Sequence, residues 1–112
     1  MGQRDGVPAG IYAHEWLQHI GAWDALQPHL AETDNVRAAL ALVAVGAAPL
    51  GLVYASDAQA EPRVAVIYQV PPDTHDPIRY PAAALTNAGR GFVELLQSPQ
   101  AAMIFSSHGF AP

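Results

Sequence analysis

The chain has 112 residues, a formal charge of −5, no cysteine and no lysine. It is long enough for one small domain and no more. With 51% apolar and only 13% charged residues, it reads as globular rather than disordered. The missing cysteines exclude disulfides, thiolate metal sites and a cysteine nucleophile. The five cations (Arg4, Arg37, Arg63, Arg79 and Arg90) are scattered rather than clustered, which argues against nucleic acid and anionic membranes as partners.

In chain order, the apolar positions Tyr12, Ala13, Trp16, Leu17 and Ile20 follow the spacing of one helical face, with Gly21 as its stop. A short turn is expected around Trp23 to Leu26, before Pro28. A second helix begins at Val36 with Asp34 or Asn35 as N-cap and runs towards Gly46. Its apolar residues lie on both sides, which predicts burial between layers. Residues 50–54 (Leu-Gly-Leu-Val-Tyr) and 63–70 (Arg-Val-Ala-Val-Ile-Tyr-Gln-Val) read as buried strands, the second closed by Pro71-Pro72-Asp73. Residues 78–85 read as a third strand that Pro81 confines to an edge or bulge. A helix is expected over residues 91–96, then another with Ser98 as N-cap and Pro99 at N1, ending near Gly109. The order α, α, β, β, β, α, α predicts an α/β fold, a mixed sheet flanked by helices.

No apolar run reaches membrane-spanning length, the longest being broken by Gly46, Pro49 and Gly51. No apolar core follows Met1-Gly2-Gln3-Arg4-Asp5, so no signal peptide is read there, and the chain is expected in the cytoplasm if it is a complete gene product.

Catalytic and metal motifs fail on spacing. His14-Glu15-Trp16-Leu17-Gln18-His19 has one residue more than the zinc-protease motif. At i, i+5 on a helix the two imidazoles diverge by roughly 140°, against roughly 40° at i, i+4, so both histidines are expected on the solvent side. His29, His75 and His108 show no ligand spacing. Ser56, Ser106 and Ser107 lack a Gly-x-Ser-x-Gly elbow, and Gly89-Arg90-Gly91 lacks the third glycine and preceding strand of a dinucleotide loop. Neither catalytic residues nor a metal site are expected. A chain this poor in cations must hold any anion with neutral donors, and two helix starts, at Pro8-Ala9-Gly10 and Asp34-Asn35-Val36, offer backbone amides of that kind. Tyr54 ends a predicted strand with its hydroxyl at the rim.

The order and spacing of several motifs carry a resemblance. They are Val7-Pro8-Ala9-Gly10-Ile11-Tyr12-Ala13, Gly21-Ala22-Trp23-Asp24, Asn35-Val36-Arg37-Ala38-Ala39-Leu40, and residues 48–58 (Ala-Pro-Leu-Gly-Leu-Val-Tyr-Ala-Ser-Asp-Ala). Towards the end, Tyr80-Pro81-Ala82, residues 98–105 and Gly109-Phe110 continue it. Nearly the whole chain resembles the C-terminal half of the periplasmic molybdate-binding proteins of ABC importers, which are type II solute-binding proteins. The resemblance implies a truncated periplasmic-binding-protein-like fold that binds molybdate or tungstate, with no other cofactor, and that works with an ABC permease in the periplasm.

Residue by residue, the resemblance makes Ala9 and Val36 backbone N–H donors to the oxyanion and Tyr54 a hydroxyl donor, and it places the serines that complete the site outside this chain. It also implies that residues 1–77 form part of the second lobe and residues 78–112 return to the first, within one compact unit. Residues 85–91 are shorter than in typical members, which trims the start of the next helix. Sheet edges and apolar faces that have lost their covers predict self-association or pairing with the missing N-terminal half. A structural or interaction protein that keeps the fold without binding the anion is the alternative.

Overall fold

A computed structural model describes residues 1–111. The chain divides into two compact units, Met1–Pro77 and Ile78–Pro112.

In the first unit, residues 1–3 lie extended beside residues 31–33. Gly2 and Thr33 form a parallel bridge, Gln3 N–H donates to Thr33 O at 2.9 Å, and Thr33 N–H donates to Met1 O at 3.1 Å. Helix α1 (Pro8–His19) follows the first extended piece, with Pro8 in its first turn, where the missing N–H costs nothing. The short helix α2 (Trp23–Leu26) packs back on it. Helix α3 (Val36–Ala44) follows the second extended piece, capped by Asn35, whose side chain accepts from Ala38 N–H. Helix α4 (Ala55–Gln59) is a single short turn that the sequence pattern did not reveal.

The core is small. Leu17 is 2% exposed and packs with Met1 and Ala13, bordered by Trp16, Ala22, Trp23, Leu30 and Leu52. Helix α3 buries Ala39 and Leu40 fully and leaves Val36, Ala38, Leu42, Val43 and Ala44 half-buried, while Val45, just after its end, is exposed. Gly21 and Gly46 end α1 and α3 at positive φ (69° and 76°). In each case the next residue closes the turn: Ala22 N–H reaches Leu17 O and Ala47 N–H reaches Leu42 O.

The second unit holds helices α5 (Arg90–Leu96) and α6 (Pro99–Ser107). The start of α5 is preceded by a 3₁₀ turn, Asn87–Gly89. Ser98 caps α6 by accepting from Ala101 N–H at 3.2 Å, with Pro99 in the first turn as expected. Phe110 packs edge-on against Tyr80 and Phe105.

The predicted strands do not form a sheet. Among the described residues no strand is assigned, and residues 50–54, 63–70 and 78–85 run as irregular chain, with Tyr54 becoming the N-cap of α4. Strand propensity measures how well a side chain fits a pleated surface that a neighbour half covers, and it is realised only where that neighbour exists. Within 63–70 the side chains of Val66, Ile67 and Tyr68 are 64%, 77% and 61% exposed. Tyr68 stacks on Trp16 of α1 (5.8 Å between ring centres).

Candidate functional site

Two parallel extended pieces that each lead into a helix put both helix starts at the same edge of the pair, and Gly2–Thr33 is such a pair. The close fit at this edge requires two glycines. A Cβ on Gly10 would lie 2.3 Å from both Gly2 O and Gln3 O, and one on Gly2 would lie 2.6 Å from Val7 Cγ1. Residues 2 and 3 therefore lie directly against the first turn of α1. Arg4 extends the clamp. Its backbone N–H and its guanidinium both donate to Glu32 (3.0, 2.9 and 2.8 Å), which holds the Glu32 carboxyl at about 2, well below its ordinary range. Arg4 also lies over the Trp23 ring, 4.6 Å from its centre.

At the start of α1, Pro8 has no N–H, and Gly10 and Ile11 both donate to Val7 O (2.8 and 3.0 Å). Ala9 N–H is the first-turn donor left for an acceptor outside the helix. At the start of α3, Asn35 Oδ1 takes the amide of Ala38 at 2.8 Å and Asn35 O takes that of Ala39 at 3.3 Å. Thr33 Oγ1 donates to Asn35 O at 2.8 Å and steadies the cap. Val36 N–H, at N1, has no carbonyl four residues back within its helix. Neither first turn contains an acidic residue, so no side-chain carboxylate neutralises the positive helix ends from inside the turn. Tyr54, half-buried, caps α4 with its carbonyl, which accepts from Asp57 and Ala58 N–H at 3.1 Å each. Asp57 is buried, 5% exposed, and accepts from Arg37 Nε at 2.5 Å. The Arg37–Asp57 pair carried no sequence signal, because the two residues stand 20 apart with unrelated flanks.

The remaining candidates do not converge. His14 is not solvent-facing, as its place opposite the apolar stripe suggested. It leans on Trp23 with ring centres 3.9 Å apart, and its Nε2, like Trp16 Nε1, is buried without a hydrogen-bond partner. Packing on an indole wins here over helical periodicity. His19 lies in an open groove with Glu15, Gln18, Asp73, Thr74, His75 and Asp76. Among the described residues no group of three His, Cys, Asp or Glu is placed to hold a metal ion. Ser107 Oγ is 3.1 Å from His108 Nδ1, but that nitrogen also lies 2.9 Å from Ile104 O. A nitrogen facing a carbonyl carries the proton, so it has no lone pair with which to activate a serine.

The model of the family described as bacterial extracellular solute-binding protein matches residues 1–111. The chain belongs to that family. It is 49% identical over 114 residues to the molybdate-binding protein ModA of Escherichia coli (strain K12), covering 98% of this chain and 44% of that protein. It is 37% identical over 115 residues to ModA of Haemophilus influenzae, covering 99% and 45%. In structure it is similar to the substrate binding domain assigned to a molybdenum ABC transporter of Clostridium difficile, with a TM-score of 0.83 and 34% identity over 96% of this chain and 49% of that one. The chain thus spans under half the length of the curated relatives it matches, and its fold is that of part of a solute-binding domain.

Proposed function

We propose that this chain carries part of the oxyanion site of a molybdate-binding component of an ABC-type uptake system, with tungstate as an equivalent ligand. Backbone N–H of Ala9 and Val36 and the hydroxyl of Tyr54 are the donors. The observation that carries the reading is the parallel Gly2–Thr33 pairing, which brings the starts of α1 and α3 to one edge. The names and identities of the relatives support molybdate as the ligand. A fully ionised tetrahedral oxyanion only accepts hydrogen bonds, and neutral N–H and O–H donors in a cleft can select it by size and protonation state without a countercharge. In this reading residues 1–77 belong to the second lobe and residues 78–112 to the first. The remaining donors come from polypeptide beyond this chain, and an ABC permease receives the ligand in the periplasm.

Isothermal titration of the chain with molybdate, tungstate and sulfate tests the reading. Heat with molybdate and tungstate at millimolar anion is the expected result. No heat would remove the reading for this chain, and an equal response to sulfate would remove the selectivity.

A second reading, a self-associating structural protein without a ligand, is favoured by the exposed apolar side chains at 66–68 and by Phe92, Leu95, Met103 and Ile104 on α5 and α6. Sedimentation with and without molybdate separates the two. A stable oligomer indifferent to the anion supports the second, and an anion-stabilised monomer supports the first.

A further inference from the structure

We propose that the Arg37–Asp57 pair is a positioning device that fixes Val36 N–H and the Tyr54 hydroxyl relative to one another. The inference rests on the oxyanion reading above. Arg37 directly follows Val36 in the first turn of α3, and Asp57 stands three residues after Tyr54 in α4. The Asp57 side chain holds Arg37 Nε while its backbone N–H holds Tyr54 O at 3.1 Å. One residue thus joins the two donor segments through two hydrogen bonds.

The pair adds to the packing of α4, and of the connecting chain at Gly51, against α3. A five-residue helix such as α4 cannot hold its own direction, because a single turn barely offsets the cost of nucleation. Residues 49–54, which connect the two segments, carry no regular backbone ladder. Asp57 is 5% exposed, and its carboxylate needs a partner. Arg37, with a side chain 73% exposed, reaches over from α3 to supply one. This pair spends a surface cation on orienting a buried carboxylate.

The test is titration of the full chain with sodium molybdate in four variants: Arg37→Gln, Asp57→Asn, the double variant Arg37→Gln/Asp57→Asn, and Arg37→Lys. Dissociation constants are corrected for the folded fraction measured by circular dichroism. Positioning predicts that both single variants weaken binding, by about three- to thirtyfold as for residues that act through others. It predicts that the double variant is no worse than either single one, and that Arg37→Lys recovers part of the loss. The double variant leaves no unpaired buried charge, so it keeps the test available where a single variant fails to fold.

A long-range field effect would instead give opposite signs, weaker binding in Arg37→Gln and tighter binding in Asp57→Asn, and that outcome overturns the proposal. Unchanged affinity with a lowered melting temperature overturns it too, by leaving the pair a structural role only. Asp24→Asn, which removes an exposed carboxylate on α2, serves as the control and leaves the affinity as it was. Absence of molybdate binding in the unsubstituted chain is a different result: it refutes the oxyanion reading itself and with it any site to be positioned.

Discussion

Backbone donors are hard to test by mutation, but Val36 occupies the one helical position where an amide can be deleted cleanly. Proline at N1 removes the N–H and keeps a helical φ, and N1 is where helices accept it best. The residue before a proline must be extended, and Asn35 already is, with φ −159° and ψ 163°. Val36→Pro should therefore leave α3 and its Asn35 cap in place while losing one hydrogen bond to the anion. A hydrogen bond to a charged group contributes about 1.5–3 kcal/mol. At about 1.4 kcal/mol per decade, the molybdate dissociation constant should rise about 10- to 150-fold. Val36→Ala, which shortens the side chain and retains the amide, controls for lost packing and should stay within about twofold of the parent. Titration calorimetry reads both, with circular dichroism to check the fold. Equal affinity in Val36→Pro and the parent would refute the role of this amide, and an equal loss in Val36→Ala would reassign the effect to packing.

Gly10→Ala should destabilise the first unit by about 3 kcal/mol, because its Cβ would meet two backbone carbonyls at 2.3 Å that have no rotamer to give way. Gly21→Ala, with open space around it but φ of 69°, should cost only the left-handed penalty of about 1–2 kcal/mol. Urea unfolding of both separates the steric from the conformational cost, and equal losses would contradict the close approach of residues 2–3 to α1. Leu17→Ala should cost about 2–5 kcal/mol in the same assay, and a loss under about 1 kcal/mol would mean that the Met1–Ala13–Leu17 cluster is not the core. For Glu32, whose carboxyl is held down from 4.5 to about 2 by Arg4, the folded form favours the ionised state. Its contribution is present above the ordinary value and disappears as pH falls towards 2. Unfolding of the parent and Glu32→Gln compared across that range should show a difference that shrinks with acid, and a difference independent of pH would refute it.

What the sequence made legible were the features decided within a few residues. The spacing of Tyr12, Trp16 and Leu17, the stops at Gly21 and Gly46, the Asn35 cap and the Ser98-Pro99 start all depend on local hydrogen bonding and backbone freedom, and α1, α3 and α6 follow them. The amides of Ala9 and Val36 were readable as possible donors for the same reason, since a helix start announces itself locally. Tyr54 was not readable as a helix cap, because α4 has no periodicity over only five residues.

Features that depend on distant partners were not legible. His14 was placed by helical phase alone, yet Trp23 on the next helix draws it inward. The strand-like run at 63–70 states a preference that only a neighbouring strand can satisfy, and its exposed Val66, Ile67 and Tyr68 are what that preference leaves behind without one. The oxyanion reading has the same character. In that reading the donors within reach of local rules lie on this chain, whereas a tetrahedral anion with four oxygens needs partners on more than one side. Binding by this chain should therefore be weak and sensitive to small displacements of each donor, which is why the link from Arg37 through Asp57 to Tyr54 matters more here than it would in a fully enclosed site.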